Sequence, residues 1–209
     1  LGMDVDVVDD QGEPVRGEVG ELICRKPWPG MTRSFWRDDE RYLDTYWSTL
    51  PGVWVHGDWA SIDEDGYWFL HGRSDDTLNI AGKRIGPSEL ESAAIAHDDV
   101  VEAAAVGVPD KVKGEVAWLF CVAPDAGDPD TLTGEVYELV SEELGKAFRP
   151  ARVVLVESLP KTRSGKIMRR ILRKIAEDDC GEGTLGDTTT LQDPAVVDSL
   201  IDNRMNRAE

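Results

Sequence analysis

The sequence predicts an α+β protein built in two parts, a β-rich first third followed by a small α+β domain. Three observations carry that prediction. Residues 1 to about 72 hold short alternating apolar segments separated by turn signals, and six of the seven tryptophans lie before residue 70. The texture changes at Ser74-Asp75-Asp76, which sets a boundary near Asp75. Beyond it, amphipathic helical periods alternate with apolar runs of strand length over roughly a hundred residues, enough for an independent core.

The elements follow in order. "MDVDVVDDQGEPV" alternates around the turn signal Asp10-Gln11-Gly12, and "GEVGELICRK" is a second strand. "FWRDDERYLDTYW" reads as a short helical or looped segment. "GVWVHGDWASIDEDGYWFLHGR" reads as strands broken by turns, with "DEDG" the clearest turn. In the second part, "PSELESAAIAH" places Pro87 near a helix start, and Ser88 and Glu91 have capping-box spacing. "VVEAAAVGVP", "EVAWLFCVAP" and "ARVVLVESLP" are strand-length apolar runs. "TLTGEVYELVSEELGKAF" puts Val136, Leu139, Val140 and Leu144 on one helical face. "GKIMRRILRKIA" puts Ile167, Ile171, Leu172 and Ile175 on one stripe. The last thirty residues read as a polar tail with one short helix, and no internal repeat is visible.

Composition narrows the function. A net charge of −18 argues against general nucleic-acid binding by the chain. Abundant Asp and Glu with only eight Lys resembles the surface of proteins from a high-salt cytoplasm; an acidic mesophile protein is the alternative. No run of about 18 apolar residues suggests a membrane span. "LGMDVDVVDD" has neither the basic start nor the apolar core of a signal peptide, so a cytoplasmic location is expected. That opening also lacks a start methionine and begins inside an apparent strand, which reads as a piece of something longer. Cys24, Cys121 and Cys180 are odd in number and widely spaced, which fits reduced thiols better than a disulfide frame or a zinc site.

Three stretches carry chemistry. In "VHGDWA", Asp58 follows Gly57 at a strand end, where a carboxylate can accept from the two vicinal hydroxyls of a ribose or can simply cap a turn. In "HGRSDDTLNIAGKRIGPSELE", Gly82 and Gly86 bracket Lys83 and Arg84, a pattern for close backbone approach and phosphate binding, or for a solvated loop capping a helix. In "LPKTRSGKIMRR", Lys166 stands at the mouth of a helix. Lys161, Arg163, Lys166, Arg169, Arg170, Arg173 and Lys174 crowd fourteen residues that contain no acid. A P-loop fails here, because residue 160 is Pro and residue 167 is Ile where Gly and Ser or Thr are needed. A mobile point charge fits this Lys better than a rigid phosphate cradle. A solvated basic face and a nucleic-acid patch are the alternatives; the bare face is disfavoured, since like charges repel without a compensating anion.

"HGD", "GRSDDTLNIAGKRIGPSELE" and "PKTRSGKIMRR", in this order and spacing, resemble the adenylate-forming superfamily. "RYLDTYW" and "LGDTTTLQDPAVV" are similar to its AMP-forming acetyl-CoA synthetase branch and the close propionyl-CoA relatives. The resemblance implies that residues 1–74 are the last β-subdomain of an AMP-binding domain, 75–178 a C-terminal lid domain and 179–209 a polar tail. It implies ligation of acetate to coenzyme A at the expense of ATP, through an acyl-adenylate, with the lid presenting different faces in the two steps. By motif match, Asp58 and Arg73 would bind the ribose, Asp75 would be the hinge, and Arg84 would reach the nucleotide phosphate. Ala81 and Gly82 would line the coenzyme A tunnel, and Lys166 would be the lysine of adenylation. Ile95, His97 and Val100 match positions that can hold a structural Mg²⁺, mostly through backbone carbonyls. Acetylation of Lys166 by a protein acetyltransferase, reversed by a deacetylase, would switch adenylation off. Two positions depart from the pattern: Ala81 stands where many relatives have Ser, and Ser141 lies near where relatives can carry an Arg for the 3′-phosphate of coenzyme A. The superfamily's Gly/Ser/Thr-rich phosphate loop and the aromatic segment that limits acyl length are absent, so the chain alone is expected to show no turnover; a non-catalytic regulatory or binding module of this length is the alternative of another class.

Overall fold

In the computed structural model, which describes residues 2–125, 127–181 and 183–205, the chain divides into two units, Leu1–Asp75 and Asp76–Glu209. The first is an antiparallel sheet of β1 (Val5–Val8), β2 (Gly20–Cys24), β3 (Trp54–Ile62) and β4 (Trp68–Arg73), in sequential order. Gly20 opens β2 where a Cβ would sit 2.4 Å from the Val8 carbonyl oxygen, so a larger residue would push β1 away. The turn between β3 and β4 is "DEDG", as its composition predicts: the Asp63 carboxylate accepts from the N–H groups of Asp65 (3.0 Å) and Tyr67 (2.8 Å). Between β2 and β3 lies α1 (Asp39–Trp47), started by the Asp38 carboxylate accepting from Arg41 N–H. Its Tyr46 stacks on Trp54 at 3.9 Å, and Trp28 and Trp47 meet Trp54 edge-on, which accounts for three of the early tryptophans as packing, whereas Trp36 and Trp68 are exposed.

The second unit explains the unbroken apolar runs. Its sheet has the order β6 (Lys83–Ile85), β5 (Leu78–Ile80), β8 (Gly114–Val122), β7 (Glu102–Asp110), and β9 (Arg152–Val156) runs parallel to β8. Successive strand residues point to opposite faces. Ala103, Ala105, Leu119 and Cys121 pack with Leu90 of α2 (Pro87–Ile95) and Val136 and Val140 of α3 (Pro129–Leu144). Ala104, Val106, Phe120 and Val154 pack with Ile171, Leu172 and Ile175 of α4 (Arg169–Ala176) and Leu200 of α5 (Ala195–Met205). Both faces are therefore covered by helices, and these strands show no polar alternation.

Two expectations change. Ser88 and Glu91 do not form the helix start. Gly86 is the N-cap, its N–H donating to Glu89 at 3.1 Å. Glu91 turns inward instead: it accepts from Ala105 N–H of β7 (2.9 Å) and from Arg169 (2.7–3.0 Å), and it is buried. The tail is not simply polar either. Leu191, Val197 and Leu200 are buried in the α4-side core, because they present an apolar stripe among Asp, Thr and Gln that composition averages away.

The Glu91–Arg169 pair ties α2, the β7 backbone and α4 together. Arg169→Ala leaves Glu91 buried without its cation and should cost roughly 3 kcal/mol. Denaturant unfolding of wild type and variant measures it; a loss under about 0.5 kcal/mol would mean that water replaces the guanidinium.

Candidate functional site

The predicted residues fall into three groups, one in the first unit and two in the second. In the first, Asp58 and Arg73 are direct partners across β3 and β4. The ladder is irregular on both sides of Asp58, between Glu21 and Ile23 against β2 and between Trp59 and Ala60 against β4. Such bulges re-aim side chains. Gly57 has φ 81° there, and a Cβ on it would lie 2.9 Å from an Arg73 nitrogen. The Arg73 guanidinium grips Asp75 with two bonds (2.8 and 2.6 Å) and stands 3.7 Å from Asp58. His56 Nδ1 accepts weakly from Trp54 Nε1 (3.5 Å), while its Nε2 faces the other Asp58 oxygen at 3.3 Å. A carboxylate so flanked, with its side chain 23% exposed, is held in one orientation and still has acceptor capacity for two hydroxyl donors.

Sequence reasoning missed Glu21. Its Oε1 accepts from Gly57 N–H (3.1 Å) and from Ser74 Oγ (3.0 Å), clamping the segment before Asp58 to the segment before Asp75. The available signal was Gly57 inside a strand pattern, which marks a bulge whose freed backbone donor needs an acceptor.

In the second unit, Ala81 and Gly82 form the two-residue turn between β5 and β6, with φ 51° and 81°. Two positive φ values match the hairpin turns that follow strand twist. Ala81 N–H donates to the Lys113 carbonyl just before β8, and Arg84 faces Asn79 on the exposed ribbon. Ile95 ends α2, and His97 follows it. His97 Nδ1 accepts from Asp99 N–H (3.2 Å), so Nε2 carries the proton toward Glu135 (3.1 Å), and the His97 carbonyl accepts from Val100 N–H (3.0 Å). The imidazole is thus committed to Asp99 and Glu135 and does not fit a metal-ligand role. Among the described residues no group of three or more His, Cys, Asp or Glu is placed to hold a metal ion. Ser141 Oγ donates to the Tyr137 carbonyl of its own helix (2.7 Å). Burial pushes the Cys121 thiol up to about 12, which makes it an inert core residue.

Lys166 closes a tight hairpin. Thr162 N–H donates to the Lys166 carbonyl (2.9 Å), Lys166 N–H donates to Thr162 Oγ1 (3.1 Å), and Gly165 supplies φ 83°. The surrounding basic residues are largely neutralised within the unit: Lys161 by Glu102 (2.7 Å), Arg169 by Glu91, Arg173 by Asp76 (4.0 Å) and Lys174 by Asp179 (2.5 Å). Among the described residues the exposed ammonium of Lys166 meets no carboxylate, nor does the Arg163 guanidinium. The hairpin lies by the end of β8: Glu102, which holds Lys161, pairs with Val122. The Ala81-Gly82 turn is fixed to the other end, beside Gly114. At about 3.4 Å per residue, the nine-residue strand separates the two turns by on the order of 25 Å.

Comparison with known proteins defines the class first: residues 89–166 match the family model of the AMP-binding enzyme C-terminal domain. More particularly, the chain is 47% identical to the acetyl-coenzyme A synthetase of Brucella canis, over 96% of its own length and 31% of that protein's. Among solved structures it is similar to the acetoacetyl-CoA synthetase from Streptomyces lividans, with TM-score 0.76 and 28% identity, over 99% of this chain and 31% of that one. It is also similar to ATP-bound MatB from Rhodopseudomonas palustris, with TM-score 0.72 and 28% identity, over 85% of this chain and 35% of that one. The chain thus spans about a third of the length of the relatives it matches.

Burial raises the Glu21 carboxyl above its usual range, and the charges of Asp58 and Asp75 add to this against the opposing hydrogen bonds from Ser74 and Gly57. A carboxyl raised by folding binds protons more tightly in the native state. Stability therefore falls as pH climbs through the window above the unfolded value of 4.5, and the loss is complete once Glu21 is ionised in the native state. Glu21→Gln keeps an oxygen for both bonds and removes the charge. Thermal melts should show the variant more stable than wild type near neutral pH and equal to it at about pH 4; a constant offset across pH would refute the assignment.

Proposed function

We propose that this chain is the C-terminal part of an ATP-dependent acetate–CoA ligase, converting acetate, ATP and coenzyme A to acetyl-CoA, AMP and pyrophosphate. The observation that carries the reading is Lys166: an exposed ammonium on a short hairpin whose neighbouring cations mostly have carboxylate partners. In the first step a carboxylate oxygen attacks the α-phosphorus of ATP, the bond to the β-phosphate oxygen breaks, and pyrophosphate leaves. Two anions must meet, and an ammonium positioned between them stabilises the charge where it develops. In the second step the sulfur of coenzyme A attacks the acyl carbon, the bond to AMP breaks, and the thiol proton goes to solvent. Lys166 has no task there.

Asp58 holds the ribose hydroxyls, aided by Arg73, and Arg84 reaches the nucleotide phosphate. Ala81 and Gly82 border the pantetheine path. Asp75, gripped by Arg73, is the pivot between residues 1–74 and the lid at 75–178. The distance along β8 between the two turns supports alternation, because one static pose cannot bring both to a single reaction centre. Mg²⁺ accompanies ATP, and a structural Mg²⁺ near Ile95, His97 and Val100 would rest on carbonyl oxygens. The exposed Lys166 amine suits a protein acetyltransferase, and acetylation would remove the charge that adenylation needs. By itself the chain has no turnover. The 47% identity to an acetyl-coenzyme A synthetase supports acetate as the acyl substrate, with propionate or another short-chain acid as the alternative. Among the described residues no helix is long and apolar enough to cross a membrane, and with the acidic balance this supports a cytoplasmic enzyme.

The test is Lys166→Ala in the full-length protein. Pyrophosphate release with acetate should fall about 10²- to 10³-fold, while thioester formation from supplied acetyl-adenylate should persist. A wild-type rate of adenylation sinks the assignment. Running acetate, propionate and butyrate in parallel decides the acyl group.

A further inference from the structure

The hairpin that carries Lys166 is too small to hold itself. It spans five residues, and a lone two-stranded hairpin is at best marginally stable in water. Its cations Arg163 and Lys166 also repel each other. Residues 190–192 supply what is missing. Leu191 bridges Thr162 in antiparallel fashion, Arg163 N–H donates to the Thr190 carbonyl (3.3 Å), and Gln192 N–H donates to the Lys161 carbonyl (2.9 Å). On the other side Lys161 bridges Ile167. Residues 161–163 are thus the middle line of a three-line ribbon, and Lys166 begins the return line.

The outer line is itself anchored. Leu191 is 2% exposed, in the same core as Ile171, Leu172 and Leu200. The Arg170 guanidinium donates to the carbonyls of Leu185 and Asp187 (3.1 Å for Asp187). The Asp187 carboxylate turns the chain by accepting from Thr189 N–H (2.9 Å) and Thr189 Oγ1 (2.6 Å). Nothing in the composition of "LGDTTTLQDP" announces this role.

We propose that residues 185–192, fastened by Arg170 and Leu191, are the device that aims Lys166 for adenylation. The inference rests on the reading of Lys166 given above. These are positioning residues: none is proposed to touch the reacting atoms. An ammonium on a flexible four-carbon stem is useful only if its backbone is fixed, and a misplacement of about 1 Å can cost on the order of 10² in rate.

The test uses two variants of the full-length protein. Gln192→Pro removes the N–H that pairs with Lys161, and Arg170→Ala releases the carbonyls of Leu185 and Asp187. In each, pyrophosphate release with acetate should fall about 10- to 100-fold. Thioester formation from supplied acetyl-adenylate should stay within about two-fold of wild type, because Lys166 is idle in that step. Amide exchange at Arg163 and Lys166 should quicken, and Gln192→Ala, which keeps the N–H, should restore wild-type adenylation. Parallel loss of both half-reactions overturns the proposal in favour of general damage to the unit, as does adenylation at the wild-type rate in both variants. If Gln192→Pro does not fold, Arg170→Ala alone decides, because its side chain lies outside the core. Lys166→Ala separates the two readings. If it is crippled while the 185–192 variants adenylate normally, only this inference fails; if it adenylates normally, the role of Lys166 fails and this inference with it.

Discussion

Charge compensation within the second unit is the constraint on which the rest depends. Seven cations between Lys161 and Lys174 would repel one another if left in water on one surface. Four of them end on carboxylates drawn from separate places: Asp76 before β5, Glu91 of α2, Glu102 of β7, and Asp179 beyond α4. Arg170 ends on main-chain carbonyls. The same bonds that relieve the repulsion fasten α4 to the edge of the sheet, since Glu91 also takes a backbone N–H of β7. Among the described residues only Arg163 and Lys166, at the hairpin tip, are left without such a partner.

Strand β8 gives that tip its meaning. It is flanked by β7 along its whole length, by β5 at its start and by β9 further on. The Ala81-Gly82 turn is therefore tied to one end of the strand and the lysine hairpin to the other. A rigid sheet covered by helices on both faces keeps these turns apart. Chemistry that needs each of them at one centre must move the unit as a whole.

In the first unit the site depends on an irregularity. A regular ladder would alternate the side chains of β3 evenly between the two faces. The shifts on either side of Asp58 break that alternation, Gly57 provides the conformation, and Glu21 takes up the freed N–H. The cost is a half-buried carboxylate close to Asp58 and Asp75, which raises its own affinity for a proton. Local irregularity stabilised by a neighbouring polar group is common where a side chain must be aimed.

The sequence by itself determined the α+β class and the main strands and helices, because period and turn chemistry are local properties. Helix α4 is the clearest case: its apolar stripe in "RRILRKIA" is readable from spacing, and Ile171, Leu172 and Ile175 are fully buried. Asp58, Arg73 and Lys166 were legible as candidates because short motifs carry them. The tertiary structure alone decided partners. Glu91 looked like a helix cap and became the counter-ion of a residue 78 positions away, and Glu21 met Ser74 across 53. Leu191 looked like part of a polar tail and became the anchor of the lysine hairpin. The physical reason is common to all three: a buried polar group or an isolated apolar side chain takes whatever the folded chain brings near, and that proximity is written in no local pattern.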